Sequence, residues 1–160
     1  MITVSAFAWV PDFAQGQVRD LRVRWALEEA GLPYRVESVP FRDRGPAHLA
    51  HQPFGQVPAI DDDGFVVTES GAILLYLADK TGQLIPNARA NRYKTLAWVF
   101  FQMSAIGPMF GQLGFFLRYG GKDFEDKRPR QCFVDESKRL LGVLDRQLEG
   151  RNWMVGDYSI

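Results

Sequence analysis

Two pairs of residues, Val57-Pro58 and Glu69-Ser70, are of the types needed to hold a small molecule carrying both signs of charge. Ile73, Leu74, Leu77 and Ala78 recur at helical spacing, so a helix is expected to open near Glu69-Ser70. A helix start presents unpaired N–H groups and a partial positive charge, which suit a carboxylate. Ser70 adds a hydroxyl, and Glu69 adds an acceptor for an ammonium group. A ligand with both charges on one carbon, as in an amino acid, is matched at this single turn. Val57-Pro58 offers a different contact. Proline favours an extended residue before it, and a cis bond there would leave the peptide groups of Val57 unpaired and outward, where a peptide could pair with them. The plainer alternative is a helix cap and an edge-strand proline.

The elements that must position these residues are a hairpin and a helix. Val57 to Ile60 and Phe65 to Thr68 are apolar, β-branched runs separated by Asp61-Asp62-Asp63-Gly64, and Asp-Gly suits a tight turn. The helix that follows ends at Gly82. The runs Phe54-Gly55-Gln56-Val57-Pro58-Ala59, Glu69-Ser70-Gly71-Ala72-Ile73 and Tyr76-Leu77 resemble the glutathione transferase family, whose thioredoxin-like domain has a Val-Pro before a hairpin and a Glu-Ser or Gln-Ser opening the next helix. The resemblance implies that glutathione is the co-substrate and that Gln56, Val57, Pro58, Glu69 and Ser70 bind it, with Gln52 and Gln56 near its glycine end. It also implies an enzyme that turns the glutathione thiol against a small hydrophobic electrophile or a peroxide. The alternative is a non-catalytic binding or regulatory module of the same fold.

The chemistry requires a thiolate, because the thiol is a poor nucleophile. Lowering a thiol pKa from near ~8.5 by about two units takes roughly 2.7 kcal/mol of preferential stabilisation of the anion. In the family a Tyr, Ser or Cys at the end of the first strand or the start of the first helix donates the required bond. This sequence departs from that pattern, with no Tyr, Ser, Thr or Cys between Ala6 and Asp20. Ser5 falls inside the first strand and reads as a satisfied strand serine. The start of the first helix, the Arg19 guanidinium and the Trp9 indole N–H remain as thiolate partners. Arg19 is preferred, because a full cation stabilises a thiolate more than a neutral donor does; a solvated surface arginine is the alternative. Trp9, Pro11 and Phe13, like Met109, Phe110, Phe115 and Phe116, could line a pocket for the second substrate or simply be packed.

Composition bounds the remaining possibilities. The chain has 160 residues, 46% hydrophobic, with 19 basic and 19 acidic side chains. That balance argues against a nucleic-acid partner. One cysteine, Cys132, fits a reducing compartment and sits in a predicted helix, where a packing role is expected. His48 and His51 have no third ligand nearby, so no metal site is expected. No signal peptide or membrane-spanning run is read, and cytoplasm is the default.

Along the chain, Ile2 to Ala8 reads as a strand. A helix follows with Val18, Leu21, Trp25 and Leu27 to Ala30 as its buried stripe, and then a strand at Tyr34 to Val39. This βαβ-ββα order gives an α/β thioredoxin-like domain over residues 1–81, followed by a linker over 82–91 and an all-α domain over 92–160. In the latter, Tyr93, Leu96, Ala97, Phe100 and Met103 are expected on one face, and Gly107-Pro108 should break the first helix. A loop runs from Tyr119 to Pro129, and Phe133, Leu140, Leu141, Leu144 and Leu148 mark a second stripe. The resemblance further implies a homodimer. It also implies that the helical domain is truncated before its central helix, which Ser159 would open with a capping box.

Overall fold

A computed structural model describes all residues from Met1 to Ile160. The chain divides into two compact units, Met1–Ile85 with Ile160, and Pro86–Ser159.

The first unit is a four-stranded mixed sheet with helices. Strands β1 (Ile2–Phe7) and β2 (Tyr34–Val39) are joined through helix α1 (Asp20–Glu29), and a short helix α2 (Gly45–His51) follows. Strands β3 (Ala59–Asp62) and β4 (Phe65–Thr68) and helix α3 (Ser70–Thr81) complete the order βαβ-ββα, with sheet order β2-β1-β3-β4. β1 and β2 are parallel, as a helical crossover requires, while β1–β3 and β3–β4 are antiparallel. Alternation along β1 sends Ile2 and Val4 into a core shared with Val23, Ala26, Leu27, Ile60, Ile73 and Leu77. This is a thioredoxin-like arrangement.

Two expectations for this unit need correction. Strand β3 lies two residues further on than the apolar run implied, because Asp63 (φ 52°) and Gly64 (φ 92°) alone make the turn. A two-residue turn of that hand matches the twist of the strands, so Asp61 and Asp62 are drawn into the ladder opposite Val66 and Phe65. In α1 the buried stripe is Asp20, Val23, Ala26 and Leu27. Leu21 is exposed, and Trp25 is 59% exposed with its indole N–H donated to Glu29 at 2.8 Å. The two stripes have the same period and differ only in phase, which a helix this rich in both apolar and charged residues does not specify.

Drawing Asp62 into β3 has a consequence for stability. Its carboxylate, 7% exposed, accepts from the Tyr76 hydroxyl and the Lys80 ammonium, each at 2.5 Å. Lys80 first, and Tyr76 second, hold the Asp62 carboxyl below its usual range, while Asp62 raises both partners. A carboxylate with a depressed folded pKa contributes stability that is complete above its unfolded value, roughly pH 4, and is lost as pH falls through the folded value. The raised Lys80 acts at the other end: its contribution is present at neutrality and lost as pH climbs through the folded ammonium value. Calorimetric midpoints between pH 7 and pH 3 should therefore fall more steeply for the wild type than for Asp62→Asn. Parallel curves would contradict the assignment.

The second unit contains α4 (Arg89–Phe101), α5 (Gly107–Arg118) and α6 (Arg128–Leu148). Pro108 has no N–H to donate and its ring crowds the preceding turn. The chain answers with a π-helical turn over Gln102–Ile106, closed by the Gly107 amide on the Gln102 carbonyl, and the helix continues beyond it. The break expected at Gly107-Pro108 is thus a bulge one turn earlier. Helix α6 starts at Arg128, with Pro129 in its first turn, where a missing N–H costs nothing.

Here too the stripes shift. Thr95 is the buried residue of α4, and Tyr93, Ala97 and Phe100 are exposed. In α6, Ser137 and Leu140 are buried, Phe133 and Leu144 are half-buried, and Leu141 and Leu148 are exposed. Cys132 is also exposed, which overturns its packing role. Phe116 stacks on Phe133 at 5.6 Å between centroids and meets Phe115 and Phe124 edge-on. No helix is long and apolar enough to cross a membrane.

Tyr93, Phe100, Leu117, Phe124 and Leu141 are exposed on this unit, and large exposed apolar side chains favour association where they adjoin. The 160-residue chain is expected to bind a hydrophobic dye and to self-associate on warming. A sharp unfolding transition from a soluble monomer would contradict this.

Candidate functional site

In the first unit a shallow depression open to solvent is lined by Arg19, Gln52, Gln56, Val57, Pro58, Glu69 and Ser70. One wall is the start of α3. Glu69, at its N-cap, takes φ 66° and ψ 117°, a conformation that costs a non-glycine residue of order 1–3 kcal/mol. No side chain caps this helix, so its first amides are not consumed locally. Ser70, the first helical residue, is 2% exposed, and its hydroxyl oxygen has no hydrogen-bond partner. Buried polar atoms are nearly always partnered, so an orphan hydroxyl beside uncapped amides marks a place where an acceptor is missing. The Ile73 amide donates to the Glu69 carbonyl at 2.9 Å, which holds the turn in this conformation.

The opposite wall is the corner before β3. The Val57–Pro58 peptide is cis, and among the backbone hydrogen bonds of loops and turns none involves Val57. The corner is fixed from behind by Ser5. Its hydroxyl accepts the Ala59 amide at 2.7 Å and donates to the Ala59 carbonyl at 3.2 Å. Ser5 is therefore a satisfied strand serine, occupied with the architecture of the site.

From the α2 side, Arg44 Nε donates to the Gly55 carbonyl at 2.8 Å and His48 Nε2 lies 2.8 Å from the Gln56 carbonyl. Gln52, 1% exposed, accepts the Gln56 amide on Oε1 at 3.3 Å. Sequence reading assigned none of these supports. The available signal was the four-residue spacing of Arg44, His48 and Gln52, which puts all three on one helical face.

The third wall is the start of α1, where Arg19 is the N-cap residue and is exposed. The depression thus brings together Arg19 and every one of Gln56, Val57, Pro58, Glu69 and Ser70. Trp9 is not among the lining residues. It is exposed and meets Phe41 edge-on at 6.0 Å, and Phe41 in turn meets Phe7 at 5.2 Å.

Uncapped amides and a buried hydroxyl at the start of α3, main chain at Val57 without a loop or turn backbone partner, and Arg19 line one depression on a thioredoxin-like scaffold. The chain belongs to the glutathione S-transferase family. The glutathione S-transferase N-terminal domain profile matches residues 21–80. A disulfide-bond oxidoreductase, YfcG of Escherichia coli K12, is 39% identical over 145 residues, covering 84% of this chain and 66% of that protein. Glutathione S-transferase 1 of Schizosaccharomyces pombe is 35% identical over 146 residues, covering 85% of this chain and 63% of that protein. Among solved structures, a glutathione transferase from Pseudomonas putida with one glutathione disulfide per subunit superposes with a TM-score of 0.89 at 43% identity. It covers 99% of this chain and 69% of that one. A glutathione transferase from Burkholderia graminis with two glutathione molecules per subunit gives 0.86 at 47% identity, covering 99% of this chain and 67% of that one. The chain therefore spans about two thirds of the length of the relatives it matches.

Proposed function

We propose that this protein binds glutathione in the depression between Val57 and Ser70 and uses its thiol as a nucleophile. The observation that carries this reading is the orphaned, buried hydroxyl of Ser70, a residue that lines the same depression as Glu69 and Val57. In this reading the γ-glutamyl carboxylate takes the Ser70 hydroxyl and the first amides of α3, and its ammonium takes the Glu69 carboxylate. The cysteinyl main chain pairs with Val57, and Gln56 approaches the glycine end. Residues 1–81 then supply the glutathione site, and residues 92–160 supply part of the helical domain that meets the second substrate.

The thiol sulfur falls near the start of α1, where Arg19 stands in for the hydroxyl that other members of the family supply. The thiol loses its proton to water and the guanidinium stabilises the sulfur anion. The anion then displaces halide from an electrophilic carbon, thiolate from a disulfide sulfur, or alkoxide from a peroxide oxygen, the resulting sulfenic acid being converted to disulfide and water by a second glutathione thiol. The 39% identical oxidoreductase supports including the disulfide among these acceptors. The test is turnover of an aryl halide, a hydroperoxide and a mixed disulfide with glutathione, run beside retention on immobilised glutathione. Turnover of at least one acceptor is expected.

A second reading, a binding module without catalysis, is favoured by the lack of any hydroxyl or thiol side chain between Ala6 and Asp20. Retention without turnover of any acceptor would select it. A homodimer is supported by Phe54, 78% exposed, next in the chain to Gly55, which lies against the exposed Leu49, an apolar edge that a second copy would cover. Light scattering of the eluted protein reads this directly.

A further inference from the structure

The Val57 corner makes its proposed contact with main-chain atoms alone, so its selectivity depends on where the backbone is held. Nothing in residues 53–57 belongs to a helix or strand. The segment is held instead by one face of α2 and the residues flanking it. Arg44 reaches the Gly55 carbonyl, His48 the Gln56 carbonyl and Gln52 the Gln56 amide, so the two peptide groups that lead into Val57 are engaged by side chains. The Gly55 amide also returns to the Gln52 carbonyl at 2.9 Å.

Arg44 is itself fixed. Its guanidinium lies over the Phe7 ring at 4.6 Å and the Phe41 ring at 5.6 Å, and it donates to the Pro40 carbonyl at 3.2 Å. The fit to Gly55 is close. A Cβ there would sit 3.3 Å from Arg44 Cγ and 3.4 Å from Leu49 Cδ2, and φ is 63°. Because a carbonyl only accepts, His48 carries its proton on Nε2.

We infer that Arg44 and His48 are positioning residues that set the Val57 main chain for pairing with glutathione, acting through the Gly55 and Gln56 carbonyls without touching the ligand. This rests on the reading of Val57 and Ser70 as the glutathione site. The proposed arrangement leaves the thiol to Arg19, so the expected effect lies in binding and leaves the chemical step alone.

The test is titration calorimetry with reduced glutathione on the whole protein, with thermal midpoints and kcat recorded for each variant. Arg44→Met keeps the apolar stem over the two rings and removes the donors, and should raise Kd about tenfold with kcat within about twofold. His48→Ala should raise Kd by a few fold, and His48→Gln, whose amide can still donate to the Gln56 carbonyl, should restore it. Ser70→Ala is the reference. If Ser70→Ala weakens binding while Arg44→Met and His48→Ala leave Kd within twofold, or lower only the thermal midpoint, the positioning role is overturned and the site stands. If His48→Gln binds as poorly as His48→Ala, the hydrogen bond is not what matters and the role is likewise overturned. If all three variants bind like the wild type, glutathione does not use this depression and both readings fall. Should Arg44→Met not fold, the His48 pair decides.

Discussion

Ser70→Ala should make the protein more stable and a poorer glutathione binder at the same time. The Ser70 hydroxyl is buried and unpartnered, a state that costs the folded protein about 1 kcal/mol or more. Removing it relieves that cost. Alanine also suits the first turn of a helix at least as well as serine. The thermal midpoint of the first unit should rise by about 4–8 °C. With glutathione present the balance reverses, because the hydroxyl then donates to a carboxylate. Losing that bond should weaken binding by about 1–2 kcal/mol, roughly 5- to 30-fold in Kd. The opposed signs separate this assignment from a purely structural serine, whose removal would lower stability and leave affinity alone. Differential scanning fluorimetry with and without glutathione measures both.

Arg19→Ala should spare binding and damage turnover. If the guanidinium supplies the roughly two units by which the thiol pKa must fall, its loss should reduce kcat/KM at neutral pH by up to about 100-fold. The pH–rate profile should also move to higher pH by the same interval, since the thiolate then forms only nearer the ordinary thiol value. Arg19→Lys should recover part of the rate, since it keeps the charge and loses the planar fork. The absorbance of the bound thiolate, followed across pH, measures the shift without any second substrate. Equal small effects from Ser70→Ala and Arg19→Ala would refute the division of roles between them.

How much of this was legible in the sequence follows from how local each signal is. The strand and helix order of the first unit, the parallel β1–β2 pair, the β3–β4 hairpin and the helix start at Ser70 were readable, because Asp63-Gly64, Val57-Pro58 and Gly82 are punctuation that acts over a few residues. The depression was partly legible. Both walls could be named, but the orphan state of Ser70 depends on the absence of a cap from anywhere else in the fold. The phases of α1, α4 and α6 were not legible. Leu21, Trp25, Tyr93, Phe100 and Leu141 are as apolar as the residues that are buried, and only tertiary packing chooses between the two faces. The supports from α2 escaped for a related reason. Arg44, His48 and Gln52 are polar residues in a polar stretch, and their role is visible only once their main-chain partners at Gly55 and Gln56 are in place.

The central claim is that one small peptide spans the corner at Val57 and the helix start at Ser70. A heteronuclear amide spectrum of the protein titrated with reduced glutathione tests it most directly. Saturable shifts are expected at the amides of Gln56, Val57, Ser70 and Gly71, all with a single dissociation constant. Shifts absent from these amides at saturating glutathione, or confined to only one of the two walls, would contradict it.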